Sequence, residues 1–314
     1  MIDMQQRYDG SILGLAVGDA LGYPVEFMSL SEIRDQYGPD GITGMEPSRG
    51  HPAGAFTDDT QMSLAIARAI LSSGHDTEEA FIAKVAEEFV EWSVSPDNDR
   101  APGMTCMAGC RELALEPAWR APGHNDSKGC GTAMRSAPIG LAWHGDEDRI
   151  IRLASETSTL THGHPAATAG GVATALLVSW ALDDLAPADM LQRLVECTRS
   201  ISAEFVDKVE QVPGVLDAPP EVAYATLGEA WVADEAVACA LYAFLRSPED
   251  YRRTVQAAVN MNGDADSVGC IAGAISGAFN GVEAIPADWR ETVVQPGMLS
   301  EVARGLFDFA SGRS

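Results

Sequence analysis

The chain has 314 residues, of which 46% are hydrophobic, and 21 Lys and Arg stand against 46 Asp and Glu, a net charge of −25. That composition supplies ample apolar material for a globular core. A charge this negative argues against general nucleic-acid binding, which needs clustered Lys and Arg on phosphates, and against an anionic membrane surface.

Met1 to Gly10 lacks the basic start and apolar run of a signal peptide. Gly10, Gly14, Gly18 and Gly22 then recur every four residues, along one face of a helix, and Glu26 follows after Tyr-Pro-Val. Tyr37 to Ala55 is rich in Gly and Pro and reads as a long loop. Phe56-Thr57-Asp58-Asp59-Thr60 opens an apolar helical pattern through Met62, Ala65, Ile66, Ala69 and Ile70, with a stop at Gly74. Phe81, Val85, Phe89 and Trp92 mark the next helix. Asp97 and Asp99 follow in a segment read as a solvated loop, although either can approach a leaving group. Asn125-Asp-Ser127 is a glycosylation sequon, which matters only along a secretory route.

Gly129-Cys-Gly131-Thr132 is a tight turn, with a helix expected to open at Met134-Arg135 and Arg135 expected in a structural ion pair. His162 and His164 precede Pro165, a residue suited to a first helical turn, and His164 is read as a cap. Ala166 to Leu182 is the most apolar stretch, but it is mostly Ala and Gly with Thr168, Thr174 and Ser179. It reads as a buried core helix and not a membrane span. Val212 to Pro220 reads as a second long loop. Trp231 precedes a helix through Val237, Ala240, Leu241 and Phe244 that stops before Pro248. Asn262-Gly-Asp264-Ala-Asp266-Ser267 leads into a second glycine ladder, Gly269, Gly273, Gly277 and Gly281, and Pro286 stops the next helix. Alternating strand patterns are nearly absent, so the expected fold is all-α, one domain over 1–314. The cysteines at 106, 110, 130, 197, 239 and 270 form no CxxC pair and are read as reduced, mostly core thiols of a cytoplasmic protein.

The two ladders imply close helix approach, which holds their flanking loops in a fixed relation. Those loops carry Glu26, Asp58, Asp59, Asp264 and Asp266. Alone, each Asp pair is explained by a helix cap and the macrodipole. Together, adjacent carboxylates repel unless a cation lies between them. Five carboxylates with the hydroxyls of Thr57 and Ser267 make an all-oxygen set suited to Mg²⁺ or Mn²⁺, and enough for two ions. No Cys or His belongs to the set, which disfavours zinc. An EF-hand lacks its third ligand, central Gly and final Glu here. The DDxxD motif of prenyl-transfer enzymes has no third Asp here.

These motifs, in this order, resemble the ADP-ribosylglycohydrolase family over most of the chain. Gly10 to Glu26 is similar to its first helix, and Phe56 to Thr60 and Asn262 to Ser267 to its metal motifs. Gly129 to Pro138 is similar to its Gly-rich substrate loop, and Thr161-His162-Gly-His-Pro165 to its histidine motif. The resemblance implies an all-α fold with two Mg²⁺ or Mn²⁺ ions on Thr57, Asp58, Asp59, Asp264, Asp266 and Ser267. Ser267 stands where the family usually has Thr. Glu26 then lies near the scissile bond, and it or one of the aspartates moves the proton. The implied reaction releases ADP-ribose from a modified acceptor, arginine by default, with serine or other linkages as alternatives. A binding, immunity or structural protein on the same fold is a second expectation. Gly129, Gly131 and Thr132 are expected on the diphosphate as neutral donors, His162 on the ligand, and Trp231 on the adenine. The expected partner is an ADP-ribosylated protein, and a monomer is expected.

Overall fold

The computed structural model describes residues 2–73, 75–115 and 126–312. The stop expected at Gly74 and the sequon residue Asn125 lie outside the described residues. Seventeen α-helices occur among them. The first five are α1 (Met4–Gly22), α2 (Leu30–Tyr37), α3 (Asp58–Ser73), α4 (Glu78–Ser93) and α5 (Met104–Leu115). Next come α6 (Ala137–Ala142), α7 (Glu147–Thr159), α8 (Pro165–Leu182), α9 (Pro187–Thr198), α10 (Ala203–Val209), α11 (Val212–Val215) and α12 (Pro220–Leu227). The last are α13 (Ala233–Arg246), α14 (Tyr251–Val259), α15 (Ala265–Asn280), α16 (Ala287–Thr292) and α17 (Pro296–Ala310). No sheet is present among the described residues, only two isolated bridges, Ser48 with His51 and Gly129 with Val232. The fold is all-α.

The periodic apolar runs became α3, α4 and α13, and Ala166–Leu182 became α8. α8 is long and apolar enough to cross a membrane, but 89% of it is buried inside the fold, against α6, α7, α13 and α15. The loop expected over 212–220 is a correction. Val212–Val215 forms α11 and Pro220 starts α12, because each Pro sits in a first helical turn where its missing N–H costs nothing.

The glycine ladders make the largest helix contact among the described residues, α1 against α15. The helices run antiparallel, Gly10 facing Gly277, Gly14 facing Gly273 and Gly18 facing Gly269. A Cβ on those three residues would lie 2.2, 2.5 and 1.9 Å from the facing carbonyl oxygens. Only glycine permits that approach. Gly281 differs from its ladder mates: it ends α15 as a cap with extended ψ at φ 73°, a positive φ that glycine adopts without penalty. At the other end of the contact, Gly22 lies against Ala265 and Asp266. The C-terminus of α1 and the N-terminus of α15 therefore meet, and the carboxylates of both are brought to one place.

Candidate active site

Three carboxylate-bearing segments converge there. The chain after α1 turns once more, with Glu26 N–H bonded to Gly22 O at 3.0 Å. Phe27 N–H then bonds Gly263 O at 3.1 Å and Gly263 N–H bonds Met28 O at 3.3 Å. Those two bonds lock the Glu26 turn to the loop before α15. The third segment is the N-terminus of α3, and Asp19 of α1 places it. Its buried carboxylate accepts from Thr57 N–H at 2.9 and 3.0 Å, Thr60 N–H at 3.0 Å and Thr60 Oγ1 at 2.5 Å. Asp19 thus caps α3 from another helix, satisfying end donors that a local cap ordinarily takes.

The result is a cleft of about 320 Å³ lined by Glu26, Asp58, Asp59, Asp264, Asp266 and Ser267, among others. Glu26, Asp264 and Asp266 each offer an oxygen within 4.8 Å of the other two. Asp58 Oδ2 accepts from Gly103 N–H at 2.9 Å. Asp59 Oδ2 is buried with no hydrogen-bond partner. Burial pushes the Glu26 carboxyl up to about 9, and the charge of Asp266 adds to the shift. Burial takes Asp58 to about 8 and Asp19 to about 7, with Asp266 again adding. Asp59 and Asp264 are raised well above the ordinary range by burial and then by Asp266. Buried acids that repel one another, with one oxygen left unpartnered, fit a hard divalent cation.

Thr57 is fully buried behind this wall, its Oγ1 facing Asp59 N–H at 3.4 Å. Gly129 and Gly131 line the cleft, but the loop is more engaged than its sequence suggested. Cys130 N–H bonds Trp231 O at 3.2 Å, and Gly129 N–H bonds Ser127 Oγ at 3.3 Å. Thr132 is buried, its hydroxyl donating to Ala167 O at 2.5 Å, so that hydroxyl is not offered to a ligand. The helix expected at Met134 begins at Ala137, after a 3₁₀ turn over Cys130–Thr132. Arg135 is structural but without the expected carboxylate partner among the described residues. It donates to Thr157 O at 3.1 Å and Thr161 Oγ1 at 2.7 Å and lies over the Phe89 ring.

His162 is buried and lines the cleft, with Nδ1 2.8 Å from Thr161 Oγ1. Burial and Arg135 lower its pKa to about 3, so it acts as a neutral imidazole. His164 caps α8 by accepting from Ala166 N–H at 3.1 Å. Trp231 lines the cleft at 38% exposure and stacks on Phe27, ring centroids 5.1 Å apart. Glu235 is structural, its Oε2 accepting from Glu229 and Ala230 N–H at 3.1 and 3.2 Å. Asp97 and Asp99 do not line the cleft; Pro102 to Cys106 do.

Four residues were missed by sequence reasoning. Asp19 had one signal, the single carboxylate between Gly10 and Gly22 of the glycine ladder. Cys130 is no core thiol: its Sγ lies 2.8 Å from Asp264 Oδ2 in the cleft wall. Phe27 is 63% exposed at the cleft mouth, and Arg49 bonds Glu26 Oε2 at 2.7 Å. Neither carries a motif.

An all-α scaffold that gathers five buried carboxylates round one cleft, with a neutral His and an exposed aromatic pair, defines a hydrolase site able to take hard cations. The chain belongs to the ADP-ribosylglycohydrolase family, whose model matches residues 1–313; its members are hydrolases. It is similar to the ADP-ribosyl-dinitrogen reductase glycohydrolase of Rhodospirillum rubrum, 32% identical over 91% of this chain and 90% of that protein. It is also similar to ADP-ribosylhydrolase ARH3 of Gallus gallus, 27% identical over 91% of this chain and 88% of that one. A solved structure of an ADP-ribosylglycohydrolase-related protein complex matches with a TM-score of 0.79 and 27% identity, covering 98% of this chain and 99% of the other.

Proposed function

We propose that this protein removes ADP-ribose from ADP-ribosylated arginine on protein, with two Mg²⁺ or Mn²⁺ ions bound in the cleft. The observation that carries the reading is the carboxylate set: Glu26, Asp264 and Asp266 within 4.8 Å of one another, beside an unpartnered Asp59 oxygen. Thr57, Asp58, Asp59, Asp264, Asp266 and Ser267 are the proposed holders of the ions. When bound, the ions supply positive charge that orients ribose hydroxyls and a water.

The rest falls to the chain's own groups. Hydrolysis breaks the C1″–N bond and forms a C1″–O bond to water; one proton leaves the water and one reaches the departing guanidine. Glu26, raised to about 9 and lining the cleft, holds and moves that proton at its carboxylate. His162, uncharged, contributes a hydrogen bond without repelling cations. Gly129 and Gly131 let the diphosphate approach the backbone closely. Trp231 offers a face to adenine, so Trp231→Ala is expected to raise KM roughly three- to tenfold with kcat nearly unchanged, about 1 kcal/mol of stacking. Steady-state kinetics against ADP-ribosyl-arginine checks this.

The deciding experiment is release of free ADP-ribose from an arginine-ADP-ribosylated protein with Mg²⁺ and with EDTA. Metal-dependent release is expected. No release on arginine with release on a serine-linked peptide moves the acceptor, and none on either leaves a binding protein.

The raised acids also fix a pH dependence. Asp19, Asp58 and Glu26 have folded pKa values, about 7, 8 and 9, above their unfolded ones near 4. Their contribution to stability is therefore complete below about pH 4 and is lost as pH rises through those folded values. In EDTA the melting temperature is expected to fall from about pH 5 to pH 9. Bound cations favour the ionised forms, so Mg²⁺ is expected to raise it more at pH 8 than at pH 5.5, by about 5 °C at hundredfold excess over Kd. Thermal melts with and without Mg²⁺ at both pH values test it.

A further inference from the structure

The Glu26 side of the cleft mouth already contains a guanidinium, supplied by the protein itself. Ser48 and His51 pair through both backbone bonds, at 3.2 and 2.8 Å, across a two-residue turn of Arg49 and Gly50. Both turn residues have positive φ, 49° and 89°, the geometry of a type I′ turn. Arg49 is neither Gly nor Asn, so it holds this left-handed conformation at a cost of about 1 kcal/mol. The strained residue is the one that reaches the site. Nη1 donates to Glu26 Oε2 at 2.7 Å and Nη2 to Glu26 O at 3.3 Å. Its Cζ lies 4.9 Å from the centre of the Tyr23 ring and 5.1 Å from that of Phe27.

A carboxylate plus two aromatic faces is the chemistry that recognises a planar cation. Tyr23 adds to this: it is 2% exposed, and its hydroxyl, which makes no hydrogen bond of ordinary geometry, faces the Arg49 guanidinium. That leaves an acceptor available for one of the five N–H groups a guanidinium carries. Arg49 itself is open to solvent on one side. Its side chain is 37% exposed, and it sits at the tip of the turn.

Resting on the arginine-linked reading above, we infer that Glu26, Tyr23 and Phe27 form a guanidinium niche at the reacting end of the cleft. Arg49 is its internal occupant, displaced when the acceptor arginine enters. The contact has two consequences. It shields the Glu26 carboxylate while no acceptor is present. It also lowers the apparent affinity for guanidinium groups by the fraction of time the niche is filled.

The test uses the full-length protein with Mg²⁺ and titrates ethylguanidinium by calorimetry, with ethylammonium as the control cation. Arg49→Asn and Arg49→Gly both suit a left-handed turn and empty the niche without breaking the bridge. The expected result is ethylguanidinium binding about tenfold tighter than in the unaltered protein, as for a niche filled nine-tenths of the time. No such gain is expected for ethylammonium, and Phe27→Ala in the Arg49→Asn background should reverse it. KM for an arginine-linked substrate should fall in Arg49→Asn, and that for a serine-linked one should not. Unchanged or weaker ethylguanidinium binding in folded variants overturns the inference and leaves Arg49 as the counter-ion of Glu26. Because binding is read without turnover, the niche is established by a tenfold gain even if no acceptor is hydrolysed. Conversely, arginine-linked release with no gain keeps the reaction and rejects the niche.

Discussion

Replacing Asp58 and Asp59 together by alanine is expected to reduce ADP-ribose release by about 10³-fold or more, the order of several kcal/mol that cation-held positioning supplies. The same change should abolish the Mg²⁺-induced rise in melting temperature. Its effect on the protein in EDTA has the opposite sign. Both carboxylates are buried, and Asp59 is raised well above its ordinary range by burial and by the charges of Asp266, Asp19 and Asp58. Removing buried acids that repel one another offsets the loss of the Asp58–Gly103 hydrogen bond and leaves stability in EDTA unchanged or higher. Asp59→Asn is the sharper single change, since it keeps shape and removes the charge whose Oδ2 has no partner. Activity and melting curves on the same samples separate the two roles. Lost activity with an unchanged EDTA melt assigns the pair to cation holding. A collapsed melt assigns it to the fold and overturns the metal assignment.

The aspartates of the site are legible in the amino-acid sequence, because Asp58, Asp59, Asp264 and Asp266 sit in local patterns beside helix starts. The glycine ladders are legible for the same reason: a period of four is a property of one helix, and two such faces imply each other. What escaped was non-local. Asp19 finds its partners 38 and 41 residues away, so only the crossing of α1 and α3 shows that it caps a helix it does not belong to. Arg49 reaches Glu26 from a loop with no periodicity to read, and Phe27 meets Trp231 across most of the chain. Thr132 failed in the other direction. Its residue type suits a donor in a substrate loop, but packing against α8 turned the hydroxyl onto the Ala167 carbonyl. Cys130 looked like a packing thiol because nothing local places a carboxylate beside it; Asp264 arrives from 134 residues away.

The second large effect lies in the frame that assembles these pieces. Gly18→Ala adds one methyl group to a helix interior, which on propensity alone favours the helix by about 1 kcal/mol. Here that Cβ would stand 1.9 Å from Gly269 O, a backbone atom that no side-chain rotation can move. The two helices must separate, and overpacking of this kind costs about 3 kcal/mol, occasionally more. The net expectation is a loss of about 2 kcal/mol or more, read as a lower melting temperature. Activity should fall further than stability accounts for. Asp19 and Glu26 follow Gly18 on one helix and its extension, while Asp264 and Asp266 stand at the N-terminus of the other, so a separation of helix axes is a separation of the acids. Gly297→Ala is the control. It also lies in a helix, near the start of α17, but a Cβ there meets nothing within 4 Å, so it should leave activity intact and stability equal or slightly higher. If Gly18→Ala melts like Gly297→Ala and still takes up Mg²⁺, the close approach of α1 and α15 does not set the site. If it remains folded in EDTA but no longer gains stability from Mg²⁺, the spacing of the two helices is what holds the carboxylates at the distance a cation requires.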